Sequence, residues 1–148
     1  MTTKAVSESM KQLVNHYAEA ITENYRRYHI GTLNRNLHGN YPEYAKEQLA
    51  EIENGTANLM KFKVYSGKKY YKIVQQEFET WEKSKNYGKY ADGSVHAFVN
   101  KETGDVYKPA SWKAPAKHIR FSFQNEADLR FLLNPDNVGW AGGYLYIR

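Results

Sequence analysis

Cationic and aromatic side chains concentrate late in the chain, in a pattern that suits the binding of phosphate groups. The residues are Tyr107, Lys108, Trp112, Lys113, Lys117, His118 and Arg120. Arginine can hold a phosphate through two parallel hydrogen bonds, and lysines add point charges. An indole or phenol ring can stack on a nucleobase. The segment therefore predicts a site for a nucleotide-derived anion. The alternative is a tryptophan packed in the core and lysines that only solubilise the surface.

Two histidines offer a catalytic alternative. His96 and His118 fall in separate predicted strands, so they can meet on one sheet face and act as an acid–base pair on a phosphodiester, with Lys108 or Ser122 nearby. No His-x-Ser or His-x-Thr spacing is duplicated in the chain. We therefore expect binding without catalysis, in which His96 or His118 makes polar contacts, and keep a phosphodiesterase that cleaves a cyclic nucleotide as the alternative.

Several other chemistries lack the residues they need. The chain has no cysteine, which excludes disulfide scaffolds, Cys-ligated zinc and a cysteine nucleophile. The remaining histidines match no metal-ligand spacing. The run Ser66-Gly67-Lys68-Lys69 lacks the earlier glycine and the following helix of a phosphate-binding loop. We expect neither a metal nor a cofactor.

The charge of the chain is unevenly distributed. Its 148 residues carry a net charge of +5, but residues 1–54 hold six Lys and Arg against seven acids, while residues 55–148 hold fifteen against nine. A basic surface attracts anionic ligands, and nucleic acid is one of them. No apolar run approaches the ~20 residues that span a bilayer, and the N-terminus lacks a signal-peptide pattern. An intracellular protein with no membrane partner is expected.

Two helices are predicted in the first third of the chain. Apolar residues recur every three or four positions from Val6 to Tyr28, which indicates an amphipathic helix that ends near Gly31. Its stripe is close to a heptad, so it can form a homo-oligomer with a copy of itself or cover a sheet. Residues 31–41 hold turn formers and predict a loop. A second helix is predicted from Pro42 to Asn54.

After residue 55 the apolar period changes to two, which indicates strands. Residues 61–65 and 69–74 predict one hairpin, and residues 95–99 and 105–108 predict a second. The turn of the second hairpin requires a left-handed residue, which Gly104 supplies. Residues 77–93 are polar and predict a loop.

The end of the chain predicts shorter elements. Two prolines make residues 109–117 a stiff, extended connection, because proline removes ladder donors. Residues 118–123 predict a strand, and alternation assigns its side chains to two faces. The inward residues are Ile119, Phe121 and Phe123, and the outward ones are His118, Arg120 and Ser122. Asn125 predicts the cap of a short helix that runs to Leu133, and residues 142–148 predict a last strand.

Three segments of the second half carry a resemblance. They read VHAFV at 95–99, TGDVYKPASWKAPAK at 103–117 and GGYLYIR at 142–148, and they resemble a group of small uncharacterised proteins encoded by tailed bacteriophages. The helical first half is not part of the resemblance. It implies a phage origin and action in the cytoplasm of an infected bacterial host. It implies no catalytic residues.

These patterns predict an α+β fold. We expect an antiparallel sheet of about five or six strands, covered by the long N-terminal helix and one or two short helices. Residues 1–54 form the helical region and residues 55–148 the basic sheet region of one compact unit. For function, we expect a phage accessory protein that sequesters a host immune signalling nucleotide. A nucleic-acid-binding protein, the phosphodiesterase, and a protein that blocks a host enzyme by direct contact remain alternatives.

Overall fold

The chain folds into an antiparallel sheet with helices packed against it. The computed structural model describes residues 3–146. The elements are α1 (Thr3–Leu37), α2 (Pro42–Asn54), β1 (Lys61–Ser66), β2 (Tyr70–Phe78), β3 (Tyr90–Asn100), β4 (Asp105–Tyr107), β5 (Phe121–Ser122), α3 (Glu126–Leu132) and a 3-10 turn at Gly143–Leu145. The five strands lie in the order β1-β2-β3-β4-β5, so each pairs with its neighbour in sequence. The predicted α+β fold is confirmed.

Helix α1 lies across one face of the sheet. Val14, Tyr17 and Ile21 on the helix are fully buried in one core with Ile73 and Val99 of the sheet. The side chain of Val6, the first residue of the predicted stripe, lies outside the described part. From residue 10 to residue 21 the stripe packs inside the chain, so these apolar side chains are not free to pair with a second copy.

Helix α1 is longer than the sequence predicts. It passes through Gly31 and ends at Leu37, so the predicted helix end at Gly31 was wrong, and the loop predicted over residues 31–41 is reduced to residues 38–41. A glycine inside a helix costs only about 1 kcal/mol relative to alanine. Burial of a leucine side chain contributes about 1.5–3 kcal/mol. Leu33, beyond the glycine, is buried, and α1 packs against α2. That burial outweighs the cost of the glycine.

Replacing Gly31 with alanine is expected to stabilise the protein. The nearest atom to a Cβ built at Gly31 is in the Arg35 side chain, 3.8 Å away, which is an ordinary contact. Gly31→Ala should raise the free energy of unfolding by about 0.5–1 kcal/mol, since alanine has less conformational freedom to lose. Urea unfolding followed by circular dichroism measures the change. A loss of stability would show that α1 needs a glycine at this position.

Both predicted hairpins are present. Their turns join β1 to β2 and β3 to β4, and Gly104 adopts the expected left-handed conformation with a φ of 74°. The prediction of a loop over residues 77–93 was partly wrong, because β2 runs to Phe78 and β3 starts at Tyr90. These two residues pair, and their rings meet edge to face at 5.4 Å. Their aromatic contact extends the strands beyond the alternating apolar pattern.

Strand β3 contains an extra residue next to β2. Ile73 pairs with Ala97, but the next residue of β2, Val74, pairs with Val95. This register shift is a β-bulge at His96, and a bulge redirects the side chains around it. His96 and Ala97 are both buried, and the imidazole meets the core residue Phe62 edge to face at 5.2 Å. The bulge therefore turns His96 into the core.

The segment from residue 109 to residue 117 is not extended as predicted. The N–H groups of Ala110 and Ser111 both donate to the carbonyl of Ala114, and Pro109 bridges to Pro115. The segment is therefore a loop that doubles back on itself, with Trp112 at its tip. The prolines hold the two ends of the loop rather than an extended strand.

The predicted strand over residues 118–123 is reduced to Phe121–Ser122. The Asp128 carboxylate accepts the Ser122 N–H at 2.9 Å, and Ile119 is exposed rather than inward. The short helix α3 is confirmed, and the side chain of Asn125 accepts the Asp128 N–H at its start. No helix within residues 3–146 is both long and apolar enough to cross a bilayer.

The prediction of a last strand over residues 142–148 is also wrong for residues 142–146, the part that the structure describes. Residues 143–145 form a 3-10 turn instead, while Ile147 and Arg148 lie outside the described residues. The turn points the hydroxyl of Tyr144 at Tyr17 and His96, at 2.6 and 2.7 Å. A regular strand pairs backbone groups, whereas here a side chain anchors the end of the chain.

Candidate functional site

A pocket of about 300 Å³ lies between the β1–β2 hairpin and the loop of residues 109–117. We call it the Trp112 pocket. It is lined by Tyr65, Ser66, Gly67, Tyr70, Lys72, Asp92, Phe98, Trp112 and Lys113. Tyr70 and Lys72 alternate along β2 with the core residues Tyr71 and Ile73, so the pocket opens on the sheet face that α1 does not cover.

Lys72 holds the indole of Trp112 in place. The Lys72 ammonium lies 4.0 Å from the centre of the indole and donates a hydrogen bond to the Trp112 carbonyl at 3.1 Å. A cation over an aromatic face is attracted to it by about 0.5–1 kcal/mol at exposed sites. Trp112 is 43% exposed, so the alternative in which it packs in the core was wrong. The indole is a fixed, accessible wall.

Asp92 places a carboxylate in the same pocket. Gln76 Nε2 donates to its Oδ1 at 2.7 Å, and the Tyr65 hydroxyl donates at 2.9 Å to Oδ1 and 3.0 Å to Oδ2. The bond from Gln76 lowers the pKa of Asp92 most; partial burial opposes this, and Tyr65, Lys63 and Lys72 reinforce it. Asp92 is therefore an ionised, oriented hydrogen-bond acceptor.

Lysines outnumber acids around the Trp112 pocket. Lys72 and Lys113 line it, and the ammonium of Lys63 lies 4.8 Å from the centre of the Tyr65 ring in its wall. Asp92 is the one acid among the lining residues. Three cations against one anion favour an anionic ligand, and the aromatic walls favour a ligand with a ring.

Only part of the predicted phosphate site comes together here. Trp112 and Lys113 line the pocket, and Tyr107 lies behind it, edge to face with Tyr70 at 6.1 Å. Lys108 instead lines a second pocket of about 280 Å³ that also borders His96. Its ammonium lies 4.1 Å from the centre of the Tyr146 ring. The cations predicted to act together are thus divided between two pockets.

The remaining predicted site residues, Lys117, His118 and Arg120, are not among the lining residues of either pocket. Arg120 donates from Nε to the Leu145 carbonyl at 2.7 Å, and its guanidinium also bonds the His118 carbonyl. It is therefore half-buried and fixes the C-terminal turn, rather than facing out from an open strand as predicted. Lys117 and His118 are exposed.

His96 belongs to a chain of hydrogen bonds in the core. Its Nε2 lies 2.7 Å from the Tyr144 hydroxyl, which lies 2.6 Å from the Tyr17 hydroxyl. The ring also bonds the backbone of Trp140. That bond favours the protonated ring and so opposes the effect of burial on the pKa. Burial lowers the pKa of His96 to about 4.

The two predicted catalytic histidines have different surroundings. His96 is buried and neutral near pH 7, whereas His118 is exposed. A phosphodiesterase that uses both of them stays a prediction. Within residues 3–146 no group of three or more His, Asp or Glu side chains is placed to hold a metal ion.

Comparison with known proteins identifies a family whose function is unknown. The model of a family of unknown function, DUF7717, matches residues 2–147 and so includes the helical first half. No curated protein and no solved structure matches the chain. The chemistry of the site therefore follows from its own geometry.

Proposed function

The chain belongs to the DUF7717 family, and from the geometry of the Trp112 pocket we propose that it binds a small nucleotide-derived anion there. Lys72 and Lys113 hold the phosphate, and the indole of Trp112 and the neighbouring tyrosine rings contact the base. The protein binds its ligand without turning it over.

The pairing of Lys72 with Trp112 is the observation that carries this proposal. It places a positive charge over one face of a partly exposed indole, 4.0 Å from the ring centre, in one pocket. A phosphate needs the first group and a base needs the second. The contact with Lys72 already favours one position of the indole, which lowers the side-chain entropy lost on binding.

The resemblance to tailed-phage proteins supports a role for this binding in blocking host defence. We propose that the ligand is a host immune signalling nucleotide, and that the protein sequesters it in the cytoplasm of the infected bacterium. A binder present in excess of the signal lowers its free concentration by mass action. Candidate ligands are cyclic dinucleotides and cyclic ADP-ribose isomers, and ADP is a simpler probe that carries the same phosphate, ribose and base groups.

Replacing Trp112 with alanine tests the pocket. Calorimetric titration with ADP, ADP-ribose and cyclic di-AMP should show binding of at least one of them to the wild type. Loss of one stacking partner costs about 1–3 kcal/mol, so Trp112→Ala should weaken that binding by about 5- to 150-fold. The matched control is Trp81→Ala, because Trp81 is exposed and does not line the pocket.

Two results would contradict the proposal. In the first, none of these nucleotides binds the wild-type protein at millimolar concentration. The other is an equal loss of binding in Trp112→Ala and Trp81→Ala, which would place the ligand elsewhere. Far-ultraviolet circular dichroism confirms that both variants are folded.

Single-stranded nucleic acid is a second candidate ligand, favoured by the surface of β1. Lys61 lies 4.0 Å from the centre of the Tyr90 ring and Lys63 lies 4.8 Å from that of Tyr65, which extends the alternation of cations and rings beyond the pocket. An open surface of this kind gives affinity that rises with oligonucleotide length and falls steeply with salt. A mononucleotide pocket gives no dependence on length and a shallower dependence on salt, so titrating oligonucleotides of increasing length distinguishes the two.

A further inference from the structure

Asp92 is unexpected in a pocket that holds an anion, because a carboxylate repels a phosphate. We infer that Asp92 accepts hydrogen bonds from the ribose hydroxyls of the ligand, so that the Trp112 pocket selects ribonucleotides over 2′-deoxyribonucleotides. This inference rests on the proposed function and adds the class of sugar that the pocket takes.

The carboxylate is oriented before any ligand arrives. Gln76 is buried and donates to Oδ1, and the Tyr65 hydroxyl spans both oxygens at 2.9 and 3.0 Å. Oδ2 makes no other hydrogen bond to the described residues, so lone pairs remain free on it. Asp92 thus presents a fixed acceptor on the wall of the pocket.

An ionised carboxylate can only accept hydrogen bonds, so the ligand must supply the donors. The 2′- and 3′-hydroxyls of a ribose are adjacent donors that suit the two oxygens of one carboxylate, and a phosphate offers none when ionised. With Lys72 and Lys113 on the phosphate, Asp92 would hold the sugar and the rings would hold the base. The charged groups and the aromatic walls of the pocket then bind different parts of one ligand.

An exocyclic amino group of the base is the other donor that a carboxylate can recognise. Three ligands separate the two sources: ADP, 2′-deoxy-ADP and inosine diphosphate, which keeps the ribose and lacks the amino group. The inference expects wild-type protein to bind ADP and inosine diphosphate alike and 2′-deoxy-ADP about ten-fold or more weakly, the effect of losing a hydrogen bond to a charged group.

Asp92→Asn is the decisive variant. It keeps the shape of the side chain but removes the charge, and Asp92 is exposed, so the fold should be retained. The variant should bind ADP more weakly than the wild type and bind 2′-deoxy-ADP within about two-fold of ADP. Asp136→Asn is the matched control, because Asp136 is exposed and pairs with Arg27 away from the pocket. It should leave the preference for ribose unchanged.

Each of the other outcomes contradicts either the inference about Asp92 or the proposed function. If wild-type protein binds ADP and 2′-deoxy-ADP equally, and Trp112→Ala still weakens both, the inference fails and the proposed function stands. If inosine diphosphate is the weak ligand, Asp92 reads the base and the inference fails. Tighter binding of all three ligands by Asp92→Asn would show that the carboxylate only repels them. Failure of ADP and inosine diphosphate to bind the wild type overturns the inference, and the proposed function falls with it if ADP-ribose and cyclic di-AMP also fail to bind.

Discussion

Lowering the pH from 7 to 4 is expected to cost the protein about 3 kcal/mol of stability through His96 alone. The pKa of His96 falls from 6.5 in the unfolded chain to about 4 in the fold, because burial disfavours the charged ring. Each pKa unit corresponds to about 1.4 kcal/mol. The unfolded state takes up the proton first, so this stability is fully present above pH 6.5 and is lost as the pH falls toward 4.

Urea unfolding at several pH values measures this loss. The wild type should lose stability steadily between pH 6.5 and pH 4, and His96→Gln, which does not titrate, should lose much less over the same range. The carboxylate of Asp92 does not interfere, since its pKa is lowered from 3.8 and its contribution is lost only below that pH.

A second measurement does not depend on the variant. A nuclear magnetic resonance titration of the folded wild type should show the His96 ring protonating near pH 4. Protonation near pH 6.5 in the folded state, or equal pH dependence in the wild type and His96→Gln, would contradict the assignment.

The sequence predicts most elements of the fold because its apolar periodicity is local. Helix α2, both hairpins and the α3 cap follow from residues close to each other in the chain. The bulge at His96 does not, because the alternating pattern of residues 95–99 has the same form with or without an extra residue. The passage of α1 through Gly31 is likewise decided by packing against α2, which lies further along the chain.

The candidate site is only half predictable for the same reason. Trp112 and Lys113 stand out by composition, but their partners Lys72 and Asp92 come from strands 40 and 20 residues earlier. Asp92 lies in a stretch that reads as a polar loop, and only its pairing with Gln76 across β2 and β3 places it in the pocket. Arg120 stands out equally by composition, yet the C-terminal turn supplies a carbonyl that binds it.

Replacing Tyr144 with phenylalanine is expected to destabilise the core more than the loss of one hydroxyl group suggests. The Tyr144 hydroxyl is the hydrogen-bond partner of both the Tyr17 hydroxyl and His96 Nε2. Tyr17 is fully buried and His96 nearly so, so Tyr144→Phe leaves two buried polar atoms, the Tyr17 hydroxyl oxygen and His96 Nε2, without their hydrogen-bond partner. At about 1–3 kcal/mol for each such group, the free energy of unfolding should fall by about 2–6 kcal/mol.

The double variant separates this effect from a simple loss of packing. Tyr17→Phe alone removes one hydrogen bond and leaves the bond between Tyr144 and His96 intact, so it should cost about 1 kcal/mol. Adding Tyr17→Phe to Tyr144→Phe removes the stranded hydroxyl and should restore part of the stability, whereas independent effects would add. Tyr87→Phe, at an exposed tyrosine, should change stability by no more than about 0.5 kcal/mol. A double variant less stable than Tyr144→Phe would show that the two hydroxyls act separately, and that the hydrogen-bonded chain from Tyr17 to His96 is not a single unit.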